Sequence, residues 1–383
     1  MATAKGSPAR QGGSTASARV RASRDGDRFH YTWAADRLLG LLSPATQLQQ
    51  ITVEGLGSDP SDEEPDGAEA IDLAEFYGDS EGEFTCLVVR QFKYSTLHPN
   101  ANFTLGETRE VLEKFAQLDP ALRAKYSQAS VRFSIVTNKP IASEVRTAVH
   151  VLATGEPAVP GSAADRLTKG IPLGGDELPE LCDRLALEDH QPGVTALRCE
   201  LDQEIGGLTA DTKLRVSARL VDRVASRAGT ESHGPIVKAD VLAAFGCSED
   251  ELAPAPSMLD DADFIARDAY KDLANQILKA AGSTVDTAEG GGGKSTFARA
   301  LRPLLSDRAE VVIYDCFGQG TYRSPARPRH RHRDGLVQLA NEITGLGLCL
   351  PIIHAGNVAP EEYTKAFVRR LKQASETNND EGI

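Results

Sequence analysis

No apolar periodicity appears before Gly26. Residues 1–24 are mostly small, punctuated by Lys5, Arg10, Arg19, Arg21 and Arg24 with no acid among them, and they read as a disordered basic tail. Order begins at Gly26-Asp27. Beyond it Phe29, Trp33, Leu38, Leu41 and Leu42 fall on one side of a helix that Asp27 can cap. Residues 51–54 predict a short strand closing on Gly55. Residues 58–70 carry Asp59, Asp62, Glu63, Glu64, Asp66 and Glu69 with two prolines and no periodicity, the pattern of a solvated loop.

Strands are expected over 70–76 and 84–94, the second nearly continuous in apolar and β-branched residues. A helix (107–118) and a strand (131–137) follow. Helix, three strands, helix, strand is the order of a small mixed α/β sheet flanked by helices. Residues 141–252 read as mostly helical, and 253–256, Ala-Pro-Ala-Pro, as a stiff spacer. Then come an amphipathic helix (262–281), a strand (283–287), a glycine run, a helix (295–305) and a second strand (309–315). Helices over 335–342 and 360–375 complete the pattern. The boundaries that follow are a tail 1–24, a first domain 25–155, a mainly helical connector 156–255 and a last domain 256–383.

Composition narrows this. A chain of 383 residues is long for one core, which favours two domains or three. The formal charge of -13 means that any contact with a nucleic acid must come from a local patch or a bound metal. Six scattered cysteines, without C-x-x-C pairs, argue against zinc and a disulfide framework and for a reducing cytoplasm. No stretch has the apolar length of a membrane span, since 336–353 is interrupted by Asn341 and Glu342. The N-terminus has no apolar segment behind its basic residues, so it does not read as a secretory signal.

The strongest chemical signal is Gly290-Gly291-Gly292-Gly293-Lys294-Ser295-Thr296, placed where a strand is expected to feed a helix. Glycine-rich backbone there presents unpaired N–H groups to a nucleotide's phosphates. Lys294 adds a mobile positive charge, and Ser295 a magnesium ligand. The P-loop spacing wants glycine at 288 and meets Ala288; the four glycines that follow give the turn slack. ATP and Mg2+ are the expected ligands. Asp315 is an available strand-end acid for that magnesium, but it follows the P-loop helix closely, and the expectation is an acid beyond residue 383.

A second constellation lies upstream. Asp72, then Gln91 and Lys93 two apart on one side of a strand, put an acid, an amide oxygen and an ammonium on neighbouring strands. Metal-dependent phosphodiester cleavage needs such a set, although chance also produces it and Lys93 alone reads as an ordinary exposed lysine.

Asp72 with Gln91-Phe-Lys93-Tyr-Ser95, preceded by Gly26-Asp27-Arg-Phe-His-Tyr-Thr-Trp33 and Ile51-Thr-Val-Glu54-Gly, resembles the PD-(D/E)-x-K nuclease superfamily. More narrowly, it resembles the double-stranded-DNA nuclease domain fused to bacterial antiviral STAND NTPases and found beside cyclic-nucleotide defence systems. Asp315-Cys-Phe-Gly, Arg329-His-Arg-His-Arg-Asp334 and Gln338-Leu-Ala-Asn-Glu342 are similar to the NTPase half. The resemblance implies a restriction-endonuclease-like sheet and a partial P-loop NTPase with a parallel sheet. It makes Asp72 a metal-binding acid, Lys93 the catalytic lysine, Glu54 an auxiliary acid and metal ligand, and Gln91 the occupant of a position that more often holds an acid. It further implies double-stranded DNA as substrate, Mg2+ at both sites, oligomerisation on activation and an unidentified trigger, a phage component among the candidates. The alternative is a degenerate nuclease fold that holds DNA or protein without cutting.

Overall fold

In the computed structural model the described residues are 16–56, 67–79, 82–173, 175–209, 215–229, 234–252, 267, 269–280, 282, 284–285, 287, 289–316, 331–353 and 359–380. They form two compact units: Met1–Leu42 with Thr46–Ile205 and Leu214–Ala244, and Ser43–Ala45 with Gly206–Lys213 and Phe245–Ile383.

The first unit is built on one mixed sheet of β1 (Leu48–Val53), β2 (Leu73–Tyr77), β3 (Cys86–Lys93), β4 (Ser130–Thr137), β5 (Leu185–Glu188) and β6 (Ile236–Val237), in the order β5-β4-β3-β2-β1-β6. The β6, β1, β2 and β3 strands pair antiparallel, whereas β3, β4 and β5 are parallel. Parallel neighbours require crossovers. The helix α2 (Leu105–Lys125) supplies the first, and α3 (Ser143–Ala153), α4 (Ala163–Thr168) and α5 (Glu177–Asp183) the second.

Alternation along the strands sorts the faces. Leu87 and Val89 of β3, Ala74 and Phe76 of β2, and Val131, Phe133 and Ile135 of β4 enter one apolar core with Val111, Leu112 and Phe115 of α2. The opposite face carries the out-of-phase residues. There Glu75, wholly buried, sits between Arg37 (2.6 Å) and Arg90 (2.9 Å). Arg37 belongs to α1 (Ala16–Leu38), and Trp33 of the same helix packs against Phe92 with the guanidiniums of Arg37 and Arg90 near its ring. Three further helices belong largely to this unit: α6 (Val194–Leu208), α7 (Val216–Arg227), which packs on α1, and α8 (Lys238–Phe245).

The α/β class and the order of the first four strands agree with the sequence reading. Three features differ. Helix α1 begins at Ala16, inside the expected tail, so Asp27 lies in mid-helix instead of capping it. Helix α2 continues through Pro120 to Lys125. The expected connector supplies β5 and β6, so the first unit extends to Ala244. Both are short edge strands, and half-exposed edges lack the apolar signature of a central strand. The loop residues 57–66 and the Pro-rich 253–256 lie outside the described residues.

The second unit contains α9 (Glu249–Leu252), α10 (Ala269–Lys279), α11 (Lys294–Leu305), α12 (His332–Gly345) and α13 (Pro360–Asp380). Tyr270 of α10 packs on Phe297 and Ala300 of α11. Val337 and Ala340 of α12 pack with Ile352, Tyr363 and Ala366. Asn341 closes both backbone groups of Ile352, at 3.0 and 2.8 Å. Among the described residues the expected parallel sheet is not formed. Thr284, Val285 and Thr287 carry no strand, Val285 being 86% exposed, and 309–315, mostly half-buried, forms no strand. A strand exists only where a neighbour pairs with it, so β-branched residues alone do not make one.

Candidate functional site

The upstream constellation assembles where ends of β1, β2 and β3 lie side by side. Asp72 directly precedes β2 and Glu54 directly follows β1, and these strands run antiparallel with Val53 opposite Leu73. The ladder continues one step further through the Glu54 N–H, which donates to the Asp72 carbonyl at 3.1 Å. Across the other side the Asp72 N–H donates to Arg90 O at 3.1 Å, so Asp72 lies next to Gln91. Backbone pairing alone thus gathers three of the four residues, and Lys93 follows Gln91 two places along β3.

Asp72 is 8% exposed. Its Oδ2 accepts from the Gln91 side-chain amide at 2.6 Å and from the Phe92 N–H at 2.5 Å, which fix its rotamer. Burial raises the Asp72 carboxyl to about 6, although these two hydrogen bonds and the charges of Lys93 and Lys114 oppose the rise. Gln91 is 5% exposed, and with its Nε2 given to Asp72 its Oε1 is buried without a hydrogen-bond partner. A buried, unpaired carbonyl oxygen costs stability, so it marks a place where a donor or a cation belongs.

Glu54 has the left-handed backbone conformation, φ 51°, uncommon for a residue with a side chain. Such strain concentrates at functional sites. Its carboxyl is raised to about 7, first by desolvation and then by the charges of Asp72 and Asp27. Two neighbouring carboxylates, both held toward the protonated form, are what a missing positive charge would relieve.

A residue that the sequence reading did not select joins them. His30, on α1, offers a ring nitrogen that lies within 4.8 Å of a carboxylate oxygen of Glu54 and one of Asp72, these two being equally close to each other. Burial, and then the charge of Lys93, lower its imidazole to about 4, so it is neutral at physiological pH. Its position 24 residues before Glu54 gives no ligand spacing to read; the only sequence signal is its place beside the buried Phe29 in the helix. As a set, two carboxylates, an orphaned amide oxygen and a neutral imidazole fit a divalent cation.

The glycine loop lies in the second unit. Gly293, at φ 86°, caps α11 from the left-handed region, and Lys294 is the helix's first residue. Gly291 has φ 77°. A side chain at 293 would meet the Tyr270 hydroxyl at 3.0 Å, so glycine is required there on two counts. Gly290, Gly291, Gly292, Lys294 and Ser295 are exposed, and Gly293 and Thr296 are half-buried. The loop folds on itself: the Gly292 N–H donates to Glu289 O at 3.1 Å, and Lys294 Nζ to the same oxygen at 2.9 Å. Thus the glycine-then-helix half of the expected phosphate cradle is present, and the strand that should feed it is not formed among the described residues. Asp315 lies in the segment 309–315, which forms no strand among the described residues. Ala288, Arg329 and His330 lie outside the described residues; Arg331 directly precedes α12, and His332 and Arg333 open it.

No protein-family model matches the chain, and no curated protein matches it. Among solved structures, the Cap4 SAVED/CARF-domain containing receptor of Moraxella osloensis is similar with a TM-score of 0.35 and 13% identity, over 76% of this chain and 63% of that one. The corresponding receptor of Acinetobacter baumannii, solved with the cyclic trinucleotide 3'3'3'-cAAA, gives a TM-score of 0.33 and 11% identity over 74% and 62%. The chain therefore spans less than two thirds of the length of either structure. Among the described residues no helix is long and apolar enough to cross a membrane.

Proposed function

We propose that the first unit is a metal-dependent double-stranded-DNA endonuclease and that the glycine loop of the second binds ATP to control it, in the setting of bacterial antiphage defence. The observation that carries the nuclease reading is the meeting of Glu54, Asp72 and the orphaned Gln91 Oε1 at three adjacent strand ends, with Lys93 on the same strand as Gln91. The ATP control and the defence setting rest on the sequence resemblance alone.

Asp72, Glu54 and Gln91 would hold the divalent cation. When bound, such an ion polarises a phosphoryl oxygen and makes water nucleophilic at neutral pH. The chain's own groups do the rest. Phe92 N–H and the Gln91 amide hold Asp72 in one orientation, and Lys93 brings an ammonium whose charge reaches Asp72. That ammonium is suited to offset the charge that develops on the scissile phosphate.

A plasmid-cleavage assay of the full chain, at roughly 10–100 mM salt where phosphate contacts are strong, tests this. Wild type nicks or linearises plasmid with a divalent metal, and neither Asp72→Ala nor Lys93→Ala does. Cutting that survives both changes removes the assignment. The glutamine at 91, a neutral ligand where an acid is more usual, favours one second reading: a fold that holds DNA without cutting. In that case wild type retards the DNA in a gel and leaves it intact.

A further inference from the structure

We propose that His30 is itself a metal ligand, and that the centre in the first unit is a four-donor site of one imidazole nitrogen, two carboxylates and one amide oxygen that selects Mn2+ over Mg2+. This rests on the reading of the site as metal-binding but not on DNA cleavage.

The first support is geometric. Ligand atoms of His30, Glu54 and Asp72 lie within 4.8 Å of one another. Two donors on opposite sides of an ion, each about 2.1 Å from it, are about 4.2 Å apart, so small side-chain adjustments suffice to close the set. The second is the Gln91 Oε1, buried and unpartnered, on a residue whose other amide atom is already committed to Asp72. It is an independent sign that this pocket lacks a positive partner.

The third support is that the His30 ring is placed by packing. It lies 4.9 Å from the Phe92 ring, and Phe92 is the residue whose N–H holds Asp72. Phe29, the preceding residue, is wholly buried and stacked on Tyr94 at 4.5 Å, which fixes this turn of α1 over the end of β3. A ligand held in this way costs little ordering on binding.

The chemistry of the donors then decides which ion is taken. Mg2+ is hard, prefers oxygen and gives up water reluctantly, so replacing an acid by an amide and adding a nitrogen weakens the case for it. Imidazole raises affinity for first-row transition metals, and Mn2+ accepts both it and carboxylate oxygen. Two carboxylates against a dication make the site neutral with neutral His30 and Gln91. A surplus of negative charge, which would favour any hard cation alike, is absent from this set.

The test uses the full chain, freed of metal, with Mn2+ and Mg2+ titrated separately by calorimetry and with the bound Mn2+ read by pulsed electron paramagnetic resonance. Expected are Mn2+ binding roughly tenfold or more tighter than Mg2+ and a 14N coupling from a directly bound imidazole. In His30→Gln the coupling disappears and Mn2+ affinity falls roughly tenfold, while Mg2+ affinity changes little. Absence of nitrogen coupling in the wild-type protein overturns the proposal without reference to any variant. So does a Mn2+ to Mg2+ ratio that His30→Gln leaves unchanged. The plasmid assay separates the two readings: a 14N signal without cleavage keeps this site and sinks the nuclease, and metal-dependent cleavage without the signal does the reverse.

Discussion

Asp72 is a carboxylic acid required to ionise in a place that resists it, and the cost is measurable. Its folded value of about 6 lies above the ordinary one near 3.9, so between these values the folded chain holds a proton that the unfolded chain has lost. Stability contributed by this group is therefore full at low pH and falls as pH rises through roughly 4 to 6. Metal-free Asp72→Asn, which carries no such charge, should melt at a higher temperature than wild type at pH 8, and the gap should close by pH 4. Saturating Mn2+ should reverse the order at pH 8, because only the wild-type site gains by binding. Thermal unfolding with and without metal checks both, and an Asp72→Asn variant less stable than wild type at pH 8 without metal would show that Asp72 serves the fold instead. At this scale most of the site was legible. Asp72, Gln91 and Lys93 could be read because strand periodicity places 91 and 93 together and an acid on the neighbouring strand completes them. His30 could not, since a ligand delivered by a helix across a sheet end leaves no spacing in the sequence.

Helix α1 delivers that histidine, and what holds α1 is on the same face as the buried ion network. Glu75 accepts from Arg37 of α1 and from Arg90 of β3, and Arg90 continues to Glu188 of β5. The Tyr77 hydroxyl also donates to Glu75, at 2.9 Å. Burial alone would push the Glu75 carboxyl up, but the two guanidiniums outweigh it and hold it low. Glu75→Ala leaves Arg90, only 10% exposed at its side chain, without its main counter-charge, and breaking a buried pair in this way costs about 3–5 kcal/mol. Urea denaturation should show that loss, with Glu75→Gln losing less because the amide oxygen still accepts. A cost below about 1 kcal/mol, the range of exposed pairs, would mean that the network is solvated in solution. The network was invisible beforehand, since neither Glu75 nor Arg90 breaks the apolar run of its strand strongly enough to be read as a buried charge. The same limit hid β5 and β6. An edge strand such as Leu185-Ala-Leu-Glu188 satisfies its backbone on one side only and needs no continuous apolar run. The opposite error occurred at 283–287 and 309–315, where β-branched residues suggested strands that find no partner among the described residues.

For the molecule as a whole, the question is what the glycine loop can do. Its helix end is formed: Gly293 turns into α11 from the left-handed region, no side-chain hydrogen bond caps the helix there, and a helix N-terminus is suited to an anion. Its cation is already engaged, since Lys294 Nζ donates to Glu289 O at 2.9 Å, and a phosphate must compete for it. The candidate acid is not carried on a strand: Asp315 ends the segment 309–315, which forms no strand among the described residues. Binding without turnover follows: the chain should bind a fluorescent ATP analogue weakly, lose that binding in Lys294→Ala, and hydrolyse no ATP in the steady state. Gly293→Ala should lose it as well, since φ 86° strains any side chain and the new methyl meets the Tyr270 hydroxyl. If ATP controls the nuclease, plasmid cleavage by wild type responds to added ATP, and cleavage by Lys294→Ala proceeds at one rate with or without it. Steady hydrolysis by this chain would show that Asp315, or another acid present, reaches the loop after all. Cleavage that ignores ATP in the wild type would leave the two units with separate tasks.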